Sequence, residues 1–155
     1  MICNATPLIC LGKIGKLELL KKLFGSVNIT NAVKEEVLIE EKEGFISIAN
    51  AIREGWIKII DSKKDSYLGL GKGENSSINL AKEKNDKLII DDYLAIKVAN
   101  EFNIETIRTT SLILMAFRKN FMTKKEVISI INKIIENGYY ISPKHYAALL
   151  SKLSS

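Results

Sequence analysis

Short apolar bursts alternate with segments of helical period along the whole chain. Met1–Cys3 predicts a short strand. Leu8, Ile9, Leu11 and Ile14 predict a helix ended by Gly15, and Leu17, Leu19, Leu20, Leu23 and Phe24 a second ended by Gly25. Val27-Asn28-Ile29 predicts a strand, followed by a helix that Thr30 or Asn31 caps and that carries Val33, Val37 and Leu38. Ile46, Ile48, Ala49 and Ile52 mark a further short helix. After Gly55, the stretch Trp56–Ile60, broken only by Lys58, predicts a strand. Residues 61–72 are polar and glycine-punctuated, hence a loop. A helix over 76–84 precedes a strand over 87–90 that runs into Asp91-Asp92. A helix over 94–102, with Ala95, Val98 and Ala99 on one face, leads to a strand at 106–108 and a helix over 110–119. Val127, Ile128, Ile131, Ile134 and Ile135 mark an amphipathic helix ended by Asn137-Gly138. A last helix starts near Ser142-Pro143, with proline in its first turn.

Strand–helix alternation of this kind predicts an α/β fold, a parallel sheet with helices on both faces. A length of 155 residues sets the expectation of one domain, 1–155. With 46% hydrophobic and 26% charged residues, the chain is excluded from the intrinsically disordered class. No apolar run reaches the roughly 18 residues of a membrane span, and the opening Met1-Ile2-Cys3-Asn4 has neither the basic nor the apolar region of a signal peptide. Cys3 and Cys10 are too few for a disulfide framework or a zinc site, and read as buried thiols in a reducing, cytoplasmic setting. The net charge of +5 is uneven: from Arg108 onward eight basic side chains face only Glu126 and Glu136. That bias suits a polyanionic partner.

On parallel α/β sheets, ligands sit beyond the carboxyl ends of the strands near a switch in strand order. The first predicted strand ends at Asn4, and the helix after the second holds Glu35 and Glu36. Gly71-Lys72-Gly73-Glu74 stands at a helix start, the fourth strand enters Asp91-Asp92, and the fifth is followed by Thr109-Thr110-Ser111. An oxygen-only set of this kind suits a hard cation such as Mg²⁺ or Mn²⁺, which neutralises mutually repelling carboxylates. It supports metal-activated attack of water on a phosphodiester. Each residue has a plainer reading as well: Glu74 as a favourable charge at a helix start, Asp91 or Asp92 as caps, Glu36 as part of a solvated acidic face, and Asn4 as a turn residue. Their joint placement after successive strands favours the site. The stretch Gly69-Leu70-Gly71-Lys72-Gly73 matches neither phosphate-loop nor dinucleotide fingerprints. His145, the sole histidine, has no nucleophile at a recognisable spacing.

The opening Asn4-Ala5-Thr6-Pro7-Leu8-Ile9 resembles the first motif of PIN domains, in particular a subfamily with an N-x-[ST]-P-L-I opening. The resemblance continues in order through Leu17–Gly25, Val33-Lys34-Glu35-Glu36-Val37, Gly71-Lys72-Gly73-Glu74, Leu88-Ile89-Ile90-Asp91-Asp92 and Gly138-Tyr139-Tyr140-Ile141-Ser142. It implies a three-layer α/β/α sandwich around a parallel sheet of about five strands. It also implies an acidic pocket for Mg²⁺ or Mn²⁺ and cleavage of single-stranded RNA, often by a homodimeric toxin held by a small antitoxin protein. Carried over by position, Glu36, Glu74 and Asp92 are the catalytic acids and metal ligands, helped by Asn4 and Asp91, and Thr109 is the polar residue after the last strand. Arg108 is placed to contact a phosphate or to pair with a pocket carboxylate. Asn4 stands where most PIN domains have Asp. Its amide oxygen can ligate Mg²⁺ but brings no charge, which lowers the expected metal affinity. The alternative function is therefore a PIN-fold module that binds nucleic acid or a partner with weakened or lost catalysis. A small-molecule phosphohydrolase is disfavoured by the lack of a D-x-D strand end.

Overall fold

The computed structural model describes residues 1–154. Five strands, β1 (Ile2–Cys3), β2 (Val27–Ile29), β3 (Ile57–Ile59), β4 (Leu88–Ile89) and β5 (Thr106–Ile107), form one all-parallel sheet in the order β3-β2-β1-β4-β5. The helices are α1 (Ala5–Lys13), α2 (Glu18–Phe24), α3 (Asn31–Val37), α4 (Phe45–Glu54), α5 (Lys72–Lys84), α6 (Tyr93–Glu101), α7 (Thr109–Arg118), α8 (Lys124–Glu136) and α9 (Pro143–Leu153). The chain divides into two compact units, Met1–Thr109 and a second beginning at Thr110.

In the first unit the connections β1 to β2 to β3 step one way across the sheet. The connection from β3 returns past β2 and β1 to β4, and β5 continues outward. Right-handed crossovers then place α1 to α4 on one face and α5 and α6 on the other. The result is the three-layer α/β/α arrangement expected of the sequence. On the faces, α1 packs on α3 and α4, and α5 packs on α6, β1 and β4; α3 and α5 also meet each other. The strands are short and buried on both sides. Ile2, Cys3, Leu88 and Ile89 are fully buried, so they are apolar without alternation. Ile2, Ile78, Ala81, Leu88, Ile90, Ala95 and Ala99 share one core cluster.

The second unit holds α8, whose start is a capping box: Thr123 Oγ1 accepts from Glu126 N, and the Glu126 carboxylate accepts from Thr123 N. Its predicted stripe of Val127, Ile131 and Ile134 is buried. Ser142 caps α9, with Pro143 at its first position.

The elements differ from the periodicity chiefly at α5. It begins at Lys72, four residues before the predicted start. Glycine and short polar residues are poor helix formers, but here Asn75 and Asn79 are buried and tie the preceding loop to the helix. Asn75 Oδ1 accepts from Leu68 N (2.6 Å) and Asn79 Oδ1 from Ser66 N (3.2 Å), while both side-chain amides donate to Ser66 O. Both cysteines are free and buried. Among the described residues no helix is long and apolar enough to cross a membrane.

Candidate active site

The connections reverse direction about β1, so the switch point lies between β1 and β4 at their carboxyl ends. Cys3 pairs with Ile89, and the Asn4 backbone N–H donates to Ile89 O at 2.9 Å, so Asn4 and Asp91 emerge from adjacent strands.

Asn4 occupies the N-cap of α1 but its side chain does not cap that helix. Thr30, Asp92, Thr123 and Ser142, at the same position of their helices, all do. Asn4 is only 2% exposed, and its Oδ1 instead receives a 3.4 Å hydrogen bond from Ser77 Oγ on α5. Asn is among the best capping residues. Its diversion from the local rule is the pattern expected at a functional position.

The Asp91 carboxylate is clamped from the next strand end. Thr109, fully buried, donates its amide to Oδ1 (2.9 Å) and its hydroxyl to Oδ2 (2.6 Å). The charge of Asp91 reaches both cysteines. Burial, and secondarily Asp91, pushes the Cys10 thiol up to about 12 and the Cys3 thiol above the usual thiol range. Both are inert thiols at neutral pH.

Glu36 and Glu74 meet where α3 packs on α5. A buried relay fixes that contact. Val33 N donates to Thr30 Oγ1 (3.2 Å), Thr30 Oγ1 lies 2.6 Å from Ser76 Oγ, and Ser76 Oγ donates to Gly73 O (3.1 Å). Successive hydrogen bonds of this kind polarise and reinforce one another. The glycines make room for the acids. A Cβ at Gly73 would collide with the Glu36 carboxylate, and one at Gly71 would lie 2.7 Å from Glu74 Oε2. The glycine-rich stretch that fits no phosphate loop thus forms a cradle for two carboxylates. Glu36 is exposed as a residue, but its carboxylate end packs against Gly73. Burial of that end raises its pKa above the ordinary glutamate range, and the neighbouring Glu74 charge raises it further. The Gly73 amide and Lys42 work in the opposite direction.

The remaining expected residues take separate positions. Asp92 is exposed and caps α6, its Oδ1 accepting from Ala95 N at 2.8 Å. Arg108 is half-buried just past the end of β5, directly before Thr109. Among the described residues, no three His, Cys, Asp or Glu side chains are close enough to form a metal cage by themselves. Mg²⁺ commonly takes only one or two carboxylates and completes its shell with water and substrate phosphate. The Glu36–Glu74 pair, held in a glycine cradle and repelling each other, fits that requirement. The neutral Asn4 oxygen stands one α5 turn away, through Ser77.

Sequence reasoning found Thr30 as a cap but not its link to Ser76, and it missed the roles of Ser76, Ser77, Asn75 and Asn79. The available signal was the polar run Glu74-Asn75-Ser76-Ser77. Apart from the half-buried Glu74 it is buried, although it opens a helix with poor helix formers.

A PilT N-terminus domain protein from the hyperthermophilic archaeon Sulfolobus solfataricus P2 is similar in structure over 72% of this chain and 90% of its own, at 20% identity and a TM-score of 0.43. No curated protein matches the chain in sequence. The family model described as PIN domain matches residues 1–155. That match spans every element described above, and the chain belongs to the PIN domain family, whose members are generally nucleases.

Proposed function

We propose that this protein is a divalent-metal-dependent endoribonuclease acting on single-stranded RNA, the toxin half of a pair with a small antitoxin protein. The observation that carries the reading is the Glu36–Glu74 pair in the Gly71/Gly73 cradle, beside the strand-order switch at Asn4 and Asp91. Two carboxylates forced together raise the pKa of one of them, a cost that recurs at functional sites. A hard cation relieves it. Glu36 and Glu74 would hold Mg²⁺ or Mn²⁺, with the Asn4 amide oxygen and Asp91 completing the acidic side and Asp92 at its rim.

The ion would supply Lewis-acid activation of water and charge neutralisation at the phosphodiester. The chain's own residues do the rest. Thr109 orients the Asp91 carboxylate by donating a hydrogen bond to each of its oxygens. Ser77 turns the Asn4 amide so that its oxygen faces α5. The Thr30–Ser76–Gly73 relay keeps Glu36 against Glu74. Arg108, directly before Thr109 and just past the end of β5, would contact a phosphate. The basic run after Arg108 suits the polyanionic substrate.

The test is cleavage of unstructured RNA with Mn²⁺ by wild type and by Glu74→Gln. Cleavage that is lost in the variant supports the assignment, and undiminished cleavage in Glu74→Gln rejects it. A non-cleaving binding module is the second reading, motivated by the uncharged Asn4 and the lack of a three-acid group among the described residues. It requires RNA binding without cleavage at millimolar Mn²⁺.

A further inference from the structure

Tyr93 and Lys97 are used neither by the core nor by the acidic site. Tyr93 opens α6 directly after Asp92 and is 62% exposed, and Leu94 beside it is 63% exposed. The buried face of α6 is made by Ala95 and Ala99 instead. A single exposed apolar side chain is ordinary. Here two stand in succession, directly after Asp92 at the start of α6. Lys97, one turn along the helix, reaches back so that its Nζ lies 5.2 Å from the centre of the Tyr93 ring. That contact sets a cation beside the ring, close in sequence to Asp91 and Asp92. A flat ring, a cation beside it and a phosphodiester site next door are the three elements with which proteins bind single strands without reading sequence.

We propose that Tyr93 is a stacking platform for an unpaired base of the substrate strand, with Lys97 neutralising an adjacent phosphate. This rests on the nuclease reading and deepens it: the site takes single strands because a base must leave its own stack to lie on Tyr93. A paired base offers no free face, so duplexes gain nothing from the ring. The Lys97 contact restricts the ring in the absence of substrate, which lowers the ordering cost of binding.

The experiment is fluorescence anisotropy with one fluorescein-labelled unstructured RNA strand and with its duplex, in EDTA so that binding is read without metal-dependent cleavage. Tyr93→Ala weakens single-strand binding about tenfold or more, as expected for loss of a stacked base, and leaves duplex binding unchanged. Tyr93→Phe restores single-strand binding because it keeps the ring. Lys97→Gln has a smaller effect and flattens the salt dependence by about one phosphate contact. Single-strand binding by Tyr93→Ala equal to wild type overturns the platform, and so does equal loss in Tyr93→Phe. A homodimer that dissociates in Tyr93→Ala with RNA binding unchanged also overturns it, by giving the exposed pair another use. Cleavage with Mn²⁺, measured in parallel, separates the two readings. Wild-type cleavage with no Tyr93 effect removes the platform and keeps the nuclease. Tyr93-dependent binding with no cleavage removes the nuclease and keeps the platform.

Discussion

Asp91 and Glu36 are both acids of the candidate site, yet their surroundings are opposite in kind. Asp91 has each oxygen bound to Thr109, through one amide and one hydroxyl donor. Glu36 has its carboxylate against a glycine and beside a second carboxylate, and its pKa is raised by burial and by that neighbour. One side of the mouth is satisfied as it stands; on the other, the Gly73 amide and Lys42 only partly offset burial and the neighbouring charge. A fold that needed only stability would separate Glu36 from Glu74, and Gly73 would bear a side chain. The satisfied side holds geometry; the unsatisfied side is where a ligand brings the largest gain. The same contrast runs through the helix starts, where Thr30 and Asp92 cap and Asn4 does not.

Removing one member of the unsatisfied pair is expected to have the largest effect. Glu74→Gln lowers RNA cleavage by about 10²-fold or more, the scale for losing one preorganised charge at a reacting centre. It does not lower the melting temperature without metal, because a like-charge contact has gone. Lost activity together with a lower melting temperature in EDTA would assign Glu74 to the structure rather than the site.

Gly73→Ala sharpens the comparison by moving Glu36 without changing its charge. The new methyl takes the space of the carboxylate, which swings away on a flexible stem. Cleavage falls about tenfold to a hundredfold, as for a misplacement near 1 Å. Thermal stability stays within about 0.5 kcal/mol, since alanine is the better helix former. A kinetic and calorimetric comparison with wild type checks both halves.

Asn4→Asp tests whether the missing charge limits metal binding. Titration calorimetry is expected to give tighter Mn²⁺ binding than wild type. Chelation with EDTA then destabilises the variant more than wild type, because an ionised carboxylate in a position 2% exposed has lost its counter-charge. Equal affinities would remove Asn4 from the donor set.

On the satisfied side, Thr109→Val keeps the shape and removes one donor. Unfolding in urea should show a loss of about 1–2 kcal/mol, the range for a hydrogen bond to a charged group in a half-exposed setting. Cleavage should fall less than in Glu74→Gln.

The smallest effect is the pH dependence of stability. Glu36 has a raised pKa in the folded state, so between its ordinary and raised values the folded chain binds more protons than the unfolded one. Its contribution therefore declines as pH rises from the ordinary glutamate range through the raised value, and the penalty is complete above that. Glu36→Gln removes this downward slope. Melting curves across that window at low salt, in EDTA, would falsify the pairing if the two proteins ran parallel.

Much of this was legible in the chain. The strands and most helices follow from apolar periodicity and from stop signals such as Gly15, Gly25 and Asn137-Gly138, because burial and backbone geometry act locally. Glu36, Glu74 and Asp91 were legible as acids after successive strands, and the Asp92 cap was one of its two readings. The start of α5 was only partly legible: Gly71–Glu74 stood out as a helix start, but the periodicity began at Ser76, because Gly73, Asn75, Ser76 and Ser77 are poor helix formers by local preference. Contacts with Ser66 and Leu68 of the preceding loop, and with Thr30 on the far side of the sheet order, hold them in a helix. The roles of Gly71 and Gly73 were hidden for the same reason, since the atoms that need their missing side chains include a residue on another helix.

By itself the sequence determined the strand–helix alternation, the parallel sheet that alternation requires, and the ordered motifs that mark a PIN domain. These depend on period, spacing and residue type, which a linear chain displays. Only the tertiary structure decided which carboxylates are tied and which repel. It also decided that Asn4 turns to Ser77 instead of capping α1, and that Tyr93 is left in solvent beside Asp92. Hydrogen bonds and charge contacts fall off within a few ångströms, and residues 4 and 77, 36 and 74, or 91 and 109 come within that range only after the crossovers bring their strand ends together.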